Sequence, residues 1–91
     1  MSAPVAEAAV LETIEQVLRK ELAYTGALGP ESDLAADLEL DSVSLLTLVV
    51  ELENRFRVAL REEDAGAVRT VGELAQLVVR RAGEAAAAEP G

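Results

Sequence analysis

From Val5 onward, apolar residues recur at spacings of three and four. Val10, Leu11, Ile14, Val17, Leu18 and Leu22 share one face, while Glu7, Glu12, Glu15 and Arg19 fall elsewhere. That period marks an amphipathic helix and predicts helix 1 over residues 4–22. Pro4 suits its first turn, where a missing N–H is no loss. Arg19 and Lys20 complement the dipole at its end. The breaker-rich stretch from Tyr24 to Pro30 stops the pattern. A long connection follows, to about Asp41, with Leu34 and Leu38 spaced to dip into a core. A connection of this length without its own secondary structure is usually functional.

The second period begins at Asp41 or Ser42 and runs to Phe56. Asp is among the best N-caps. Leu45, Leu48, Val49, Leu52 and Phe56 form one face, and Leu46 widens it, so this helix is expected to be buried on more than one side. Val43, Thr47, Val50, Glu51 and Asn54 lie opposite. A short helix is expected over Glu62–Ala67, kept short by Gly66. The fourth helix opens on Thr70-Val-Gly-Glu73, a capping-box spacing, and continues through Leu74, Leu77 and Val78 to Arg80 or Arg81. Residues 83–91 have no amphipathic pattern and read as a flexible tail. The expected fold is all-α: a four-helix bundle of three longer helices and one short one, with a long loop between helices 1 and 2. The helical domain is expected over 1–82.

Composition narrows the chemistry. The 91 residues include no Cys, His or Trp, and only Tyr24 and Phe56 are aromatic. No thiolate or imidazole is available for a nucleophile pair or a zinc site. The core is therefore aliphatic, with Leu45, Leu46, Val49, Leu52, Leu60, Leu74 and Leu77 as expected members, and such a bundle has room to open for an aliphatic chain. The net charge of −9 argues against binding a phosphate backbone, and no apolar run approaches the ~20 residues that span a bilayer. A monomeric, cytoplasmic protein without nucleic-acid or membrane partners is the expectation. The charge is clustered: residues 31–64 hold ten acidic and three basic side chains. An apolar patch of Val43 and Val50, with Thr47 beside it, is expected to be ringed by Asp37, Glu39, Asp41, Glu51, Glu62 and Glu63. Such a field steers encounters with basic partners.

Ser42 is the serine set directly behind an acidic cap at a helix start. With no histidine in the chain and Lys20 in another helix, its hydroxyl has no activator, so it is a poor nucleophile of its own. It is a suitable acceptor for a group attached by another enzyme, and a phosphodiester there would face free N–H groups and the positive end of the dipole. A plain helix start is the simpler reading of Asp41-Ser42 taken alone. An acidic loop also raises calcium binding, but an EF-hand frame from Asp37 puts Ser42 where Gly belongs and Leu48 where Glu belongs.

The frame around Ser42 resembles the acyl carrier protein family, which includes peptidyl carrier domains. Asp37-Leu38 and Asp41-Ser42 match the family's D-L-G-x-D-S-L run, and Leu48, Leu52, Glu53 and Phe56 match its second helix. Glu62, Glu63 and Asp64 match its acidic third helix, and Thr70-Val71-Gly72 the opening of its fourth. The resemblance covers about residues 5–81. It implies that Ser42 carries 4′-phosphopantetheine, taken from coenzyme A by a phosphopantetheinyl transferase, and that acyl groups ride on the arm as thioesters. It implies no catalysis by the chain itself, with a ketosynthase, acyltransferase or other acyl-processing enzyme as partner. Three positions depart: Glu39 replaces the usual Gly, Val43 the usual Leu, and Thr47 an acidic residue. The last two tilt the expectation toward a discrete carrier of polyketide or mixed polyketide–peptide biosynthesis. A fatty-acid carrier and a peptidyl carrier are the alternatives within the family; an unmodified helical adaptor is the alternative outside it.

Overall fold

The computed structural model describes the backbone of residues 5–88, and among these it contains four helices: α1 (Glu7–Lys20), α2 (Ser42–Phe56), α3 (Glu62–Ala67) and α4 (Val71–Ala88). The all-α expectation holds. α1 packs against both α2 and α4. Its four buried side chains, Val10, Ile14, Val17 and Leu18, each contribute about 1.5–3 kcal/mol of apolar burial. They meet Leu48 and Leu52 of α2 and Val71, Leu74, Ala75, Leu77 and Val78 of α4. Among the described residues, no buried polar or charged residue interrupts this core.

α1 is shorter than its periodicity suggests. It opens at Ala6, which offers no side-chain cap, and Pro4 lies outside the described residues. At the other end Ala23 turns left-handed (φ 57°), and the Tyr24 N–H donates to the Leu18 carbonyl. Leu22 therefore packs from the turn and not from the helix.

α4 is longer than expected. The backbone stays helical through Ala88, where a tail was expected from residue 83. The amphipathic stripe ends near Arg81, but Ala is the strongest helix former and needs no buried face to continue the backbone. Residues 89–91 lie outside the described residues. The N-terminus of α4 is built as its sequence implies. The Glu73 N–H donates to Thr70 Oγ1 (3.1 Å), and Glu73 Oε1 accepts from the N–H groups of Thr70 (3.2 Å) and Arg69 (2.7 Å).

The long loop is tied down by non-local bonds. Leu34 N–H donates to the Arg69 carbonyl (2.8 Å), Val71 N–H to Ser32 (3.0 Å) and Gly72 N–H to Pro30 (2.7 Å). Asp33 and Thr70 form an isolated antiparallel bridge. Gly72 permits the approach: a Cβ there would sit 3.0 Å from the Pro30 carbonyl oxygen. So fastened, the loop sends Leu34 and Leu38 into the core, as their spacing implied, and delivers the chain to the start of α2.

Candidate functional site at the start of α2

Residues 33–38 form a turn capped from within. Asp33 Oδ1 accepts from the N–H groups of Ala35 (2.9 Å) and Ala36 (2.8 Å), while Asp37 Oδ2 accepts from the Asp33 N–H (2.7 Å). The Ala36 N–H first, then that of Ala35, holds the Asp33 carboxyl below the usual carboxylate range, with Arg69 adding a smaller effect. Glu39, directly after this turn, has φ 55°. This left-handed region suits Gly and costs other residues roughly 1–2 kcal/mol. The turn therefore keeps a glycine-like backbone although Glu occupies it.

Asp41 then caps α2. Its Oδ1 accepts from the Ser44 N–H at 2.7 Å, and this bond, followed by the Ser44 hydroxyl, lowers its pKa. The carboxylate is thus ionised and turned toward Ser44. Ser42, the first residue of the helix, is exposed, and among the described residues no hydrogen bond engages its hydroxyl. The first N–H groups of a helix lack intrahelical partners and attract anions. An exposed, unengaged hydroxyl at that point fits a covalently attached phosphodiester, with the start of α2 facing its charge.

Beyond Ser42, one side of α2 is open and apolar. Val43 is 73% exposed, Leu46 59% and Val50 41%. The placing of Leu46 corrects the expectation that it belongs to the core. α2 carries apolar residues on two sides, and only the side of Leu48, Val49 and Leu52 is buried. Thr47 adds no free donor, since its hydroxyl donates to the Val43 carbonyl at 3.0 Å. Val43 lies three and four residues before Leu46 and Thr47, and Val50 four and three after them, so the four form a stripe. At 1.5 Å per residue it reaches about 12 Å from Ser42.

The acidic ring is looser than its sequence clustering suggests. Asp37, Glu39 and Asp41 are exposed in the segment that leads into Ser42. Glu51 is paired with Arg55 (3.5 Å) one turn on, and Glu53 Oε2 accepts from the Leu60 N–H (2.8 Å). Both carboxylates of α2 are therefore engaged within the chain. Glu63 is exposed on α3, while the Glu62 side chain lies outside the described residues. An open cavity of about 490 Å³ separates the loop and the start of α2 from α3, with Leu34, Leu40 and Leu45 on one side and Ala65, Gly66 and Val68 on the other. This cavity was not legible in the sequence, because the small residues that line it carry no pattern. No helix among the described residues is long and apolar enough to cross a membrane.

Comparison with known proteins agrees with this geometry. Residues 8–78 match the family described as "Phosphopantetheine attachment site". The chain is 30% identical over 76 residues to the acyl carrier protein of Chlorobium phaeobacteroides, covering 82% of this chain and 97% of that one. It is 33% identical over 67 residues to the meromycolate extension acyl carrier protein of Mycobacterium tuberculosis, covering 74% of this chain and 56% of that one. Its fold superposes on the acetyl actinorhodin acyl carrier protein of Streptomyces coelicolor with a TM-score of 0.68 at 27% identity, over 93% and 99% of the two chains. The acyl carrier protein of Thermotoga maritima shares the fold with a TM-score of 0.77 at 18% identity, over 87% and 93%. The family's members are carriers that bear covalent 4′-phosphopantetheine and meet a phosphopantetheinyl transferase and acyl-processing enzymes. The chain belongs to the acyl carrier protein family.

Proposed function

We propose that Ser42 is the residue that bears the arm, and that the stripe Val43, Leu46, Thr47 and Val50 is where partner enzymes seat themselves to reach it. The observation that carries this reading is the exposed hydroxyl of Ser42 at the first position of α2, unengaged among the described residues and contiguous with an exposed apolar stripe. When bound, the arm supplies a thiol on which an acyl group is held as a thioester, chemistry that a chain without Cys does not own. The chain's own residues orient that group. Asp41, engaged with Ser44, fixes where the helix begins, and the N-terminus of α2 opposes the charge of a phosphodiester. Asp37 and Glu39 add a negative field beside Ser42 that steers cationic partners. Among the described residues no side chain hydrogen-bonds the Ser42 hydroxyl to activate it, and the chain has no His, so the attachment is assigned to the transferase.

For the pathway, we favour a discrete, monomeric carrier of polyketide or mixed polyketide–peptide assembly. Val43 and Thr47 support this, because both depart from the residues usual in fatty-acid carriers. Likeness to the actinorhodin carrier along 99% of its length supports it too. Likeness to the meromycolate extension carrier favours fatty-acid elongation as the second reading. Competition kinetics with the loaded chain separate the two. Higher kcat/KM with a polyketide ketosynthase and acyltransferase than with their fatty-acid counterparts supports the first; the reverse order overturns it.

A further inference from the structure

α3 is the least anchored helix. None of its described side chains is fully buried, and its apolar contact comes from half-buried Ala65 and the adjoining Val68. One polar contact offsets this. Asp64 Oδ2 accepts from Arg81 Nη2 of α4 at 2.8 Å, with side chains only 22% and 29% exposed. Every other ion pair among the described residues joins positions three or four apart in sequence. Only this one fastens one helix to another. Arg81 Nη1 also donates to Glu84 at 2.7 Å, so the guanidinium fork is held on both sides, a geometry that a planar donor suits.

The fastening has a consequence for the cavity. Ala65, Gly66 and Val68 form one wall of it, facing Leu40 and Leu45 near Ser42. Outward movement of α3 widens it, and a fixed α3 keeps its walls together. A short helix held by few buried contacts belongs to the part of a fold that opens most readily. A half-covered ion pair is less screened than an exposed one, so it is suited to restraining that opening.

We propose that Arg81 is a positioning residue: its ion pair with Asp64 latches α3 to α4 and sets how far the cavity opens to an aliphatic acyl group carried on the arm. The part concerning cargo rests on Ser42 as the point of attachment; the latch itself does not.

Hydrogen exchange of the full, unmodified chain tests the latch. Arg81→Gln and Asp64→Asn should each speed exchange of the 62–68 amides about 2- to 5-fold, the scale of a partly exposed pair. Amides of Val10–Leu18 and Leu74–Val78 should stay as they are. Arg81→Lys should keep most of the protection, and Glu84→Gln, which spares the Asp64 contact, should keep all of it. The second readout uses the same variants carrying an octanoyl group on the arm. Spontaneous thioester hydrolysis should quicken in Arg81→Gln and Asp64→Asn and return toward the parent rate in Arg81→Lys. Unchanged exchange at 62–68, exchange raised equally in α1 and α4, or raised exchange with an unchanged thioester lifetime each overturns the proposal. A chain that accepts no arm at Ser42 sinks the attachment reading, and the exchange measurement then decides the latch alone.

Discussion

Replacing Leu46 by Ala separates a docking stripe from a core position. Full burial of a Leu side chain is worth about 1.5–3 kcal/mol. Leu46 remains 59% exposed in the free chain, so roughly three-fifths of that, about 1–2 kcal/mol, is still available to a partner. Truncation to Ala removes most of this, which corresponds to about a 5- to 30-fold loss in kcat/KM for an enzyme acting at Ser42. Because the contact is apolar, the loss should persist as salt is raised. Folding should hardly change, since Ala has the higher helix propensity and little packing is lost. Leu48 is the contrast. Two residues along the same helix it is fully buried, and Leu48→Ala should cost about 2–5 kcal/mol of stability through the cavity it leaves. The assay is transferase kinetics with coenzyme A for both variants, together with urea unfolding. If Leu46→Ala unfolds as easily as Leu48→Ala, or modifies at the parent rate, the stripe is not a docking surface and the reasoning fails.

Two further outcomes concern the loop and its caps. Glu39→Gly relieves a left-handed residue worth ~1–2 kcal/mol against ~0.5–1 kcal/mol of added chain freedom. It should therefore raise stability by about 0.5–1 kcal/mol in urea unfolding, and a loss of stability would contradict the strain assigned to φ 55°. Acid should destabilise the chain through Asp33, Asp41 and Asp64, whose carboxyls titrate lower in the folded state than usual. A depressed folded pKa gives stability that is present above about pH 4 and is lost as pH falls through the lower, folded values. Asp41→Asn keeps a capping oxygen without the titration, so thermal unfolding from pH 6 to 2 should show a shallower acid decline than the parent; an unchanged slope would remove Asp41 from the account.

The legible parts of the fold were those fixed by neighbours in sequence. Asp41 and Thr70 with Glu73 announce two helix starts because capping acts over three residues, and both caps are made. Leu34 and Leu38 could be placed in the core from spacing alone. Leu46 could not be placed, because a helix with apolar residues on two sides does not say which side other helices cover. The extension of α4 to Ala88 carries no amphipathic signal, since Ala favours helix without needing a partner. The bonds from Leu34, Val71 and Gly72 that pin the loop pair residues some 35 to 42 positions apart, and no local pattern encodes them. The exposed helix start at Ser42 was legible because its cap and its helix lie within a few residues. The cavity and the Asp64–Arg81 contact were not, because both join segments distant in sequence.

Peptide-level mass spectrometry after incubation with coenzyme A and a broad-specificity phosphopantetheinyl transferase bears most directly on the role of Ser42. Trypsin leaves Ser32, Ser42 and Ser44 together between Lys20 and Arg55, so cleavage after Glu39 and Glu51 followed by fragmentation is needed to tell Ser42 from Ser44. One phosphopantetheinyl group on Ser42, absent from Ser42→Ala, is the expected result. The group found on another residue, retained in Ser42→Ala, or absent from a folded parent chain would contradict it.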